Sequence, residues 1–356
     1  MNDVWREQFP FRSNYLPLED GRGGTVRMHY LDEGADAGVK GQVSGASAES
    51  VRRDATRNGP SSLAPHPQPL SPSGRGEPYA TLLCVHGNPT WSFYWRHLVT
   101  AFRGKYRVVV PDHVGCGLSD KPQSYKYRLA RRIADLQELI ARLDLKNITL
   151  LAHDWGGAIG LGAAGREPER FARLVLFNTG AFHGQRCPAR IRVCRLPLLG
   201  PLGVRGFNLF AGAAIHMATA KPERFTPTVR AGYLAPYDSW AHRVAVQRFV
   251  EDIPLSTSHP SYATLSEVEQ NLTKLAALPT MFAWGMRDWC FTPKFLERFL
   301  DFFPRAEVHR FADAGHYVVE DAHERIVPLV DSFIARHAGG LQSAGESITA
   351  TGDAHR

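Results

Sequence analysis

The stretch Leu150-Leu151-Ala152-His153-Asp154-Trp155-Gly156-Gly157 decides the reading of this chain, because an apolar β-type run breaks there at a carboxylate and continues into a Gly- and Ala-rich helix. A strand-to-helix elbow of this kind lifts a nucleophilic side chain above the sheet edge, beside backbone N–H donors. The side chain here is aspartate. A carboxylate attacks without first losing a proton, and it forms an ester at a carbon bearing a leaving group rather than taking part in acyl transfer from an amide. The expected substrate is therefore a halide, an epoxide or a strained ring.

Around the elbow, short apolar runs alternate with helical patterns. Thr25 to Leu31, Thr81 to Val85, Tyr106 to Pro111, Ile148 to Ala152, Ala172 to Phe177, Thr280 to Trp284 and Glu307 to Phe311 read as strands. Between two of them, Arg131 to Leu145 sets Ile133, Leu136, Leu139, Ile140 and Leu143 at helical spacing. Such alternation predicts an α/β fold with a mostly parallel sheet covered by helices on both faces. Gly21-Arg22-Gly23-Gly24 reads as a hairpin turn. The βα rhythm stops between about Gly184 and Leu265, which predicts an inserted helical cap after the sixth strand. The expected organisation is a core over residues 1–181, the cap over 182–265, and the rest of the core over 266–338. Residues 35–78 and 339–356 are rich in Ser, Gly, Ala and other small or polar residues and poor in large apolar ones. They read as a disordered insertion and tail, unable to bury enough surface to offset the entropy of ordering.

Three ionisable residues fall where such a fold presents side chains at strand ends. Asp154 follows the Ile148 to Ala152 strand, Asp288 follows Trp284 after Gly285-Met286-Arg287, and His316 lies in Asp313-Ala314-Gly315-His316-Tyr317. Taken singly, Asp288 could cap the helix beginning near Thr292 and His316 could be a surface histidine. Taken together, the order nucleophile, acid, base is that of a hydrolase-type triad. Cys84-Val85-His86-Gly87-Asn88-Pro89-Thr90 follows a strand directly, so its backbone can donate toward the elbow. The Asn88 amide and the Trp155 indole are uncharged donors suited to a departing anion, with pocket-wall packing as the alternative for Trp155. Asp112-His113-Val114-Gly115-Cys116-Gly117 reads as a tight structural loop in which His113 and Cys116 pack rather than react, and His153 is expected to turn away from the nucleophile.

Composition sets the outer limits. The chain has 356 residues and a formal net charge of +7, with Lys and Arg interspersed among Asp and Glu. That pattern points to no nucleic-acid partner. Cys84, Cys116, Cys187, Cys194 and Cys290 show no metal-ligand spacing, so a reduced, cytoplasmic protein without a bound metal is expected. Met1 to Phe11 contains acidic residues and no long apolar core, so no signal peptide is expected. Leu196 to Met217 is apolar but interrupted by Pro197, Pro201 and Arg205, which suits a pocket lining better than a transmembrane segment.

With these motifs in place, the chain resembles the haloalkane dehalogenase group of α/β-hydrolases from Trp5 to about His337, apart from the 35–78 insertion. The matching motifs are His86-Gly87-Asn88-Pro89-Thr90, His153-Asp154-Trp155-Gly156-Gly157, Trp284-Gly285-Met286-Arg287-Asp288 and Gly315-His316. The resemblance implies an eight-stranded α/β-hydrolase sheet with Asp154 as nucleophile, His316 as base, Asp288 as its orienting acid, and Asn88 with Trp155 as leaving-group donors. One branch of the group carries its acid as Glu after the sixth strand, where this chain reads Phe177-Asn178-Thr179-Gly180; another replaces the Asn by a cap tryptophan. The combination of Asn88 with the late Asp288 is similar to the branch that includes the β-lactone decarboxylases of bacterial long-chain olefin biosynthesis. The His113 loop and Arg287-Asp288-Trp289-Cys290-Phe291 also resemble those decarboxylases.

That branch implies conversion of a cis-3,4-dialkyl-β-lactone, a small hydrophobic substrate, to a cis-alkene and carbon dioxide, without a cofactor. It also implies assembly with the lactone synthetase and reductase of the same pathway, in the cytoplasm or peripherally at a membrane. The motifs leave two other chemistries open. In a haloalkane dehalogenase, Asp154 would displace halide and His316 would activate water. An epoxide hydrolase would draw its acid from cap tyrosines such as Tyr233 and Tyr237.

Overall fold

The computed structural model describes residues 3–34, 80–184 and 187–338; the segments read as insertion and tail lie outside the described residues. The strands are β1 (Asn14–Glu19), β2 (Thr25–Glu33), β3 (Thr81–Val85), β4 (Arg107–Pro111), β5 (Ile148–Asp154), β6 (Phe171–Thr179), β7 (Thr280–Gly285) and β8 (Glu307–Phe311). They form one eight-stranded sheet in the order β1-β2-β4-β3-β5-β6-β7-β8. β2 pairs antiparallel with β1 and β4, and every other pair is parallel. The mostly parallel sheet expected from the βα alternation is thus present.

β1 is the strand the pattern did not show. Leu16 and Leu18 face the core, but Pro17 stands between them. A proline lacks the N–H a central strand needs and is tolerated here because β1 lies at the sheet edge. The Gly21–Gly24 turn joins β1 to β2 as expected, with Asp20 N–H donating to Gly24 O at 2.9 Å and Gly21 and Gly23 at positive φ.

The helices are α1 (Arg96–Phe102), α2 (Leu129–Arg142), α3 (Trp155–Arg166), α4 (Ala189–Val193), α5 (Leu199–Pro201), α6 (Leu209–Met217), α7 (Pro227–Leu234), α8 (Val244–Glu251), α9 (Tyr262–Leu275), α10 (Pro293–Phe302) and α11 (Val318–Arg336). Central strands are buried on both faces, because alternate side chains point to opposite sides and each side is covered. Leu83, Val85, Leu150 and Ala152 share a core with α2, α3 and α10, whereas Leu82, Cys84 and Leu151 share one with α1 and α11. The predicted α2 stripe is real: Ile133, Leu136, Leu139 and Ile140 are buried.

Helices α4 to α8 lie between β6 and α9 and cross the C-terminal ends of the strands. Several hydrogen bonds fix them there, two of them beside the strand ends. Asn88 Nδ2 donates to Val246 O of α8 at 3.2 Å, and Tyr317 N–H donates to Ala218 O at 2.8 Å. Among the described residues no helix is long and apolar enough to cross a membrane.

Candidate active site

β5 is buried along its whole length and ends in Asp154, whose φ of 53° places a non-glycine residue in the left-handed region. Side chains other than Asn and Asp rarely adopt it, and it is held only where the surroundings over-determine the turn. They do so here. A Cβ at Gly157 would lie 1.8 Å from Thr179 Oγ1, and one at Gly87 would lie 2.0 Å from Asp154 Oδ1. Only glycine allows the Cys84–Thr90 loop, the elbow and the end of β6 to approach this closely. The Thr179 hydroxyl completes the turn by donating to Asp154 O.

The carboxylate of Asp154 accepts the Asn88 backbone N–H at 2.7 Å and faces that of Trp155. Burial raises its pKa above the usual carboxylate range, and the nearby His316 and the two N–H donors only partly offset this. His316 Nε2 lies 3.6 Å from Asp154 Oδ2, and its Nδ1 bonds to Asp288 Oδ2 at 2.8 Å. Burial works against the imidazolium, but the carboxylates of Asp288 and Asp154 outweigh it and raise the His316 pKa. The three residues predicted from chain order therefore meet as a connected acid, imidazole and carboxylate.

The two predicted donors are placed differently. One Asn88 Nδ2 hydrogen is engaged by Val246 O, and Asn88 Oδ1 is buried without a partner, so a single amide hydrogen remains for a ligand. The Asn88 backbone N–H, not its side chain, reaches Asp154. The Trp155 indole N–H meets no protein acceptor among the described residues, and its ring packs against Phe249 with centroids 5.5 Å apart. Both residues border cavity space.

His153 turns away from the Asp154 carboxylate, as expected. It stacks on Tyr94 at 4.5 Å and donates from Nε2 to His316 O at 2.8 Å, with burial holding its pKa well below that of free histidine. His113 donates from Nε2 to His86 O at 2.9 Å, while its N–H donates to His86 Nε2 at 3.1 Å. It ties two loops together and touches neither cavity. Among the described residues, no group of three or more His, Cys, Asp or Glu is placed to hold a metal ion.

Asn178 is the residue that chain order did not reveal. Its Nδ2 donates to Asp288 Oδ2 at 3.0 Å and to Gly285 O at 2.9 Å, and its Oδ1 accepts from Gly285 N–H at 2.7 Å. The signal was present, since Asn178 occupies the strand end where a related branch carries its acid. Here the amide clamps the acid supplied by the next strand. Cys290 N–H holds the other oxygen of Asp288 at 2.6 Å.

Two apolar cavities meet at the carboxylate. One, of about 310 Å³, runs under α4 to α6 past Val204 and Ala214; the other, of about 190 Å³, runs between Phe182, Leu265 and Phe295. Asp154, Asn88, Ile191, Phe210 and Cys290 border both. The cap tyrosines do not. Tyr233 is buried and donates to Glu320 Oε2 at 2.8 Å, and Tyr237 packs with Val204 and Val246, so neither can protonate an epoxide above Asp154.

A family model for the alpha/beta hydrolase fold matches residues 80–192 and 225–322. The chain belongs to the α/β-hydrolase family. It is 45% identical over 267 residues to the cis-3-alkyl-4-alkyloxetan-2-one decarboxylase of Shewanella oneidensis, covering 73% of this chain and 83% of the relative. It is 41% identical to the protein of the same name from Xanthomonas campestris, covering 72% and 88%. Haloalkane dehalogenase 2 of Mycobacterium tuberculosis stands further off, at 31% identity over 72% of this chain and 87% of its own. In fold, the chain superposes on a haloalkane dehalogenase from Bradyrhizobium elkani with a TM-score of 0.71 at 21% identity, covering 92% of this chain and 99% of that one.

Proposed function

We propose that this chain is a β-lactone decarboxylase that converts a cis-3,4-dialkyl-β-lactone (an oxetan-2-one) into a cis-alkene and carbon dioxide. The observation that carries this reading is the pair of apolar cavities diverging from one carboxylate. A ring with two alkyl arms on adjacent carbons fills such a site with the ring at Asp154 and one arm in each cavity. Each buried methylene is worth roughly 0.8 kcal/mol, so about ten of them supply on the order of 8 kcal/mol of binding remote from the ring. Remote binding of that size can hold the ring against the nucleophile. A short haloalkane fills only part of the same space. The identity to two decarboxylases supports the same assignment.

In this reading Asp154 attacks the ring carbon that carries the ring oxygen, forming an alkyl ester as the C–O bond breaks toward oxygen. The freed carboxylate is stabilised by the Trp155 indole and the remaining Asn88 amide hydrogen. It then leaves as carbon dioxide, its C–C pair becomes the double bond, and the ester oxygen departs as the Asp154 carboxylate. Atoms and charge balance without water. His316, oriented by Asp288 and held toward its cationic form, steadies the carboxylate charge on both sides of the step. Assembly with the lactone synthetase and reductase of the pathway, and a peripheral position at a membrane within the cytoplasm, belong to the same reading, because substrate and product are both poorly soluble in water.

Gas chromatography of products from a cis-3,4-dialkyl-β-lactone and, in parallel, a 1-haloalkane tests the proposal, with both reactions repeated in ¹⁸O-labelled water. Decarboxylation should give cis-alkene and leave the Asp154 peptide unlabelled. Halide release without alkene, with label entering Asp154 as water cleaves its ester, would assign hydrolytic dehalogenation to the same triad.

A further inference from the structure

The cap presents a surface that burial does not explain. Leu198 is 86% exposed, Phe207 69%, Leu199 65% and Leu209 60%. They are not scattered singly, as surface apolar residues commonly are. Val193, Leu199, Leu209 and Met217, all exposed, also line the larger cavity, so the apolar surface runs without interruption from the outside to the site. Trp240 and Leu202 extend it: both approach Gly206, within 3.7 and 3.3 Å of where its Cβ would stand. Leu198 holds a φ of 62°, an unfavourable conformation for leucine, with its side chain in solvent.

Charge gives the patch a direction. From Gly184 to Pro222 the chain contains no Asp or Glu, while Arg190, Arg192, Arg195, Arg205 and Lys221 lie in the same interval. Arg190 and Arg192 form no ion pair with any described residue. Arg190 instead lies over the Trp289 ring at 5.3 Å, beside the cavity. Exposed Leu and Phe flanked by arginines, with no acidic residue among them, match the chemistry of an anionic bilayer surface, where the apolar groups enter the acyl boundary and the guanidinium groups meet lipid phosphates.

We infer that the α4–α6 face of the cap docks on anionic lipid and that the larger cavity opens into the bilayer, so the dialkyl substrate enters and the alkene leaves without crossing water. The delivery route rests on the decarboxylase reading; the docking face does not. Flotation with vesicles containing about 30% phosphatidylglycerol in phosphatidylcholine tests the face on the full chain, with no substrate present. Wild-type protein should float with these vesicles, less so as salt rises, and should ignore pure phosphatidylcholine. The exposed double variant Leu198→Gln/Phe207→Gln, and separately Arg192→Glu, should each reduce the bound fraction by about tenfold or more, with unchanged melting temperature. Both should keep wild-type turnover of a short, water-soluble lactone and lose turnover of a long-chain lactone supplied in the vesicles. Absence of wild-type flotation, or equal flotation of the variants, overturns the proposal. So does a wild-type oligomer that the double variant dissolves without any lipid binding, which would give the face to a second copy of the chain. If the vesicles bind as expected and no lactone is turned over, the docking face stands and the decarboxylase reading falls.

Discussion

Replacing Asn178 with aspartate converts a clamp on Asp288 into a pH-dependent repulsion. In the native site the amide nitrogen sits 3.0 Å from Asp288 Oδ2 and 2.9 Å from Gly285 O, so the substitution sets an anionic oxygen against two acceptors. Two unit charges at that separation repel by about 5 kcal/mol at an effective dielectric constant near 20. The new carboxyl avoids this by keeping its proton, with a pKa raised by roughly 3 to 4 units, to about 7 to 8. While protonated it donates to Asp288 much as the amide does. Because the folded-state value lies above the unfolded value of about 3.9, the folded chain binds the extra proton between the two. The variant's stability is therefore greatest below about pH 4 and falls by about 1.4 kcal/mol per pH unit until the folded value is passed. Differential scanning fluorimetry should show the melting point of Asn178→Asp dropping, relative to wild type, by roughly 5 to 10 °C between pH 5 and pH 7.5. Over the same range kcat/KM should fall away from the wild-type profile as Asp288 is pushed off His316. Asn178→Leu is the control. It strands the Gly285 groups at every pH, so its penalty, about 1 to 3 kcal/mol per stranded group, should not vary with pH. A constant offset between Asn178→Asp and wild type, in both melting point and kcat/KM, would refute this account of how Asp288 is held.

Three further outcomes are expected. Asp154→Asn should abolish turnover with the fold intact, because an amide cannot form the ester; activity of freshly purified variant within about tenfold of wild type would remove Asp154 as nucleophile. Asn88→Ala keeps the backbone N–H that reaches Asp154 and deletes the side-chain donor together with its bond to Val246 O, so decarboxylation should slow by about ten- to a thousandfold; a rate within about twofold of wild type would show that Trp155 suffices. Deleting residues 35–78 in favour of a short link should barely change stability. Glu33 and Thr81 flank the same end of β4, paired with Val108 and Arg107, about two strand spacings or ~10 Å apart. A link of about three or four residues spans that gap, and a melting point lowered by more than about 5 °C would show that the segment packs on the core.

What the sequence revealed depended on how local each signal was. The elbow, the Cys84–Thr90 loop and the His113 loop are each encoded within a few consecutive residues, and the close approaches at Gly87 and Gly157 explain why glycine stands there. Asp154, Asp288 and His316 could be grouped because the βα alternation fixes where strand ends lie, and their side chains do meet. The role of Asn178 was not legible, because it arises from the neighbour β7 brings to it; the strand-end position marked the residue but not what it holds. The Val246 partner of the Asn88 side chain escaped for the same reason, since it lies far along the chain in α8. β1 was hidden by Pro17, whose tolerance depends on an edge position that only the assembled sheet defines.

The two cavities share Asp154, Asn88, Ile191, Phe210 and Cys290 at their junction and diverge beyond it, and this has a consequence for the product spectrum under the decarboxylase reading. The length of one arm is sensed by residues such as Val204 and Ala214, and that of the other by Phe182 and Phe295, with no side chain common to both sets. Beyond the shared junction each arm is selected separately, and the distribution of alkenes formed from a mixed pool approaches the product of two one-arm distributions. Bulk added at Ala214 truncates one marginal distribution and leaves the other unchanged. A cell that carries this fold can thus retune half of each hydrocarbon at a time.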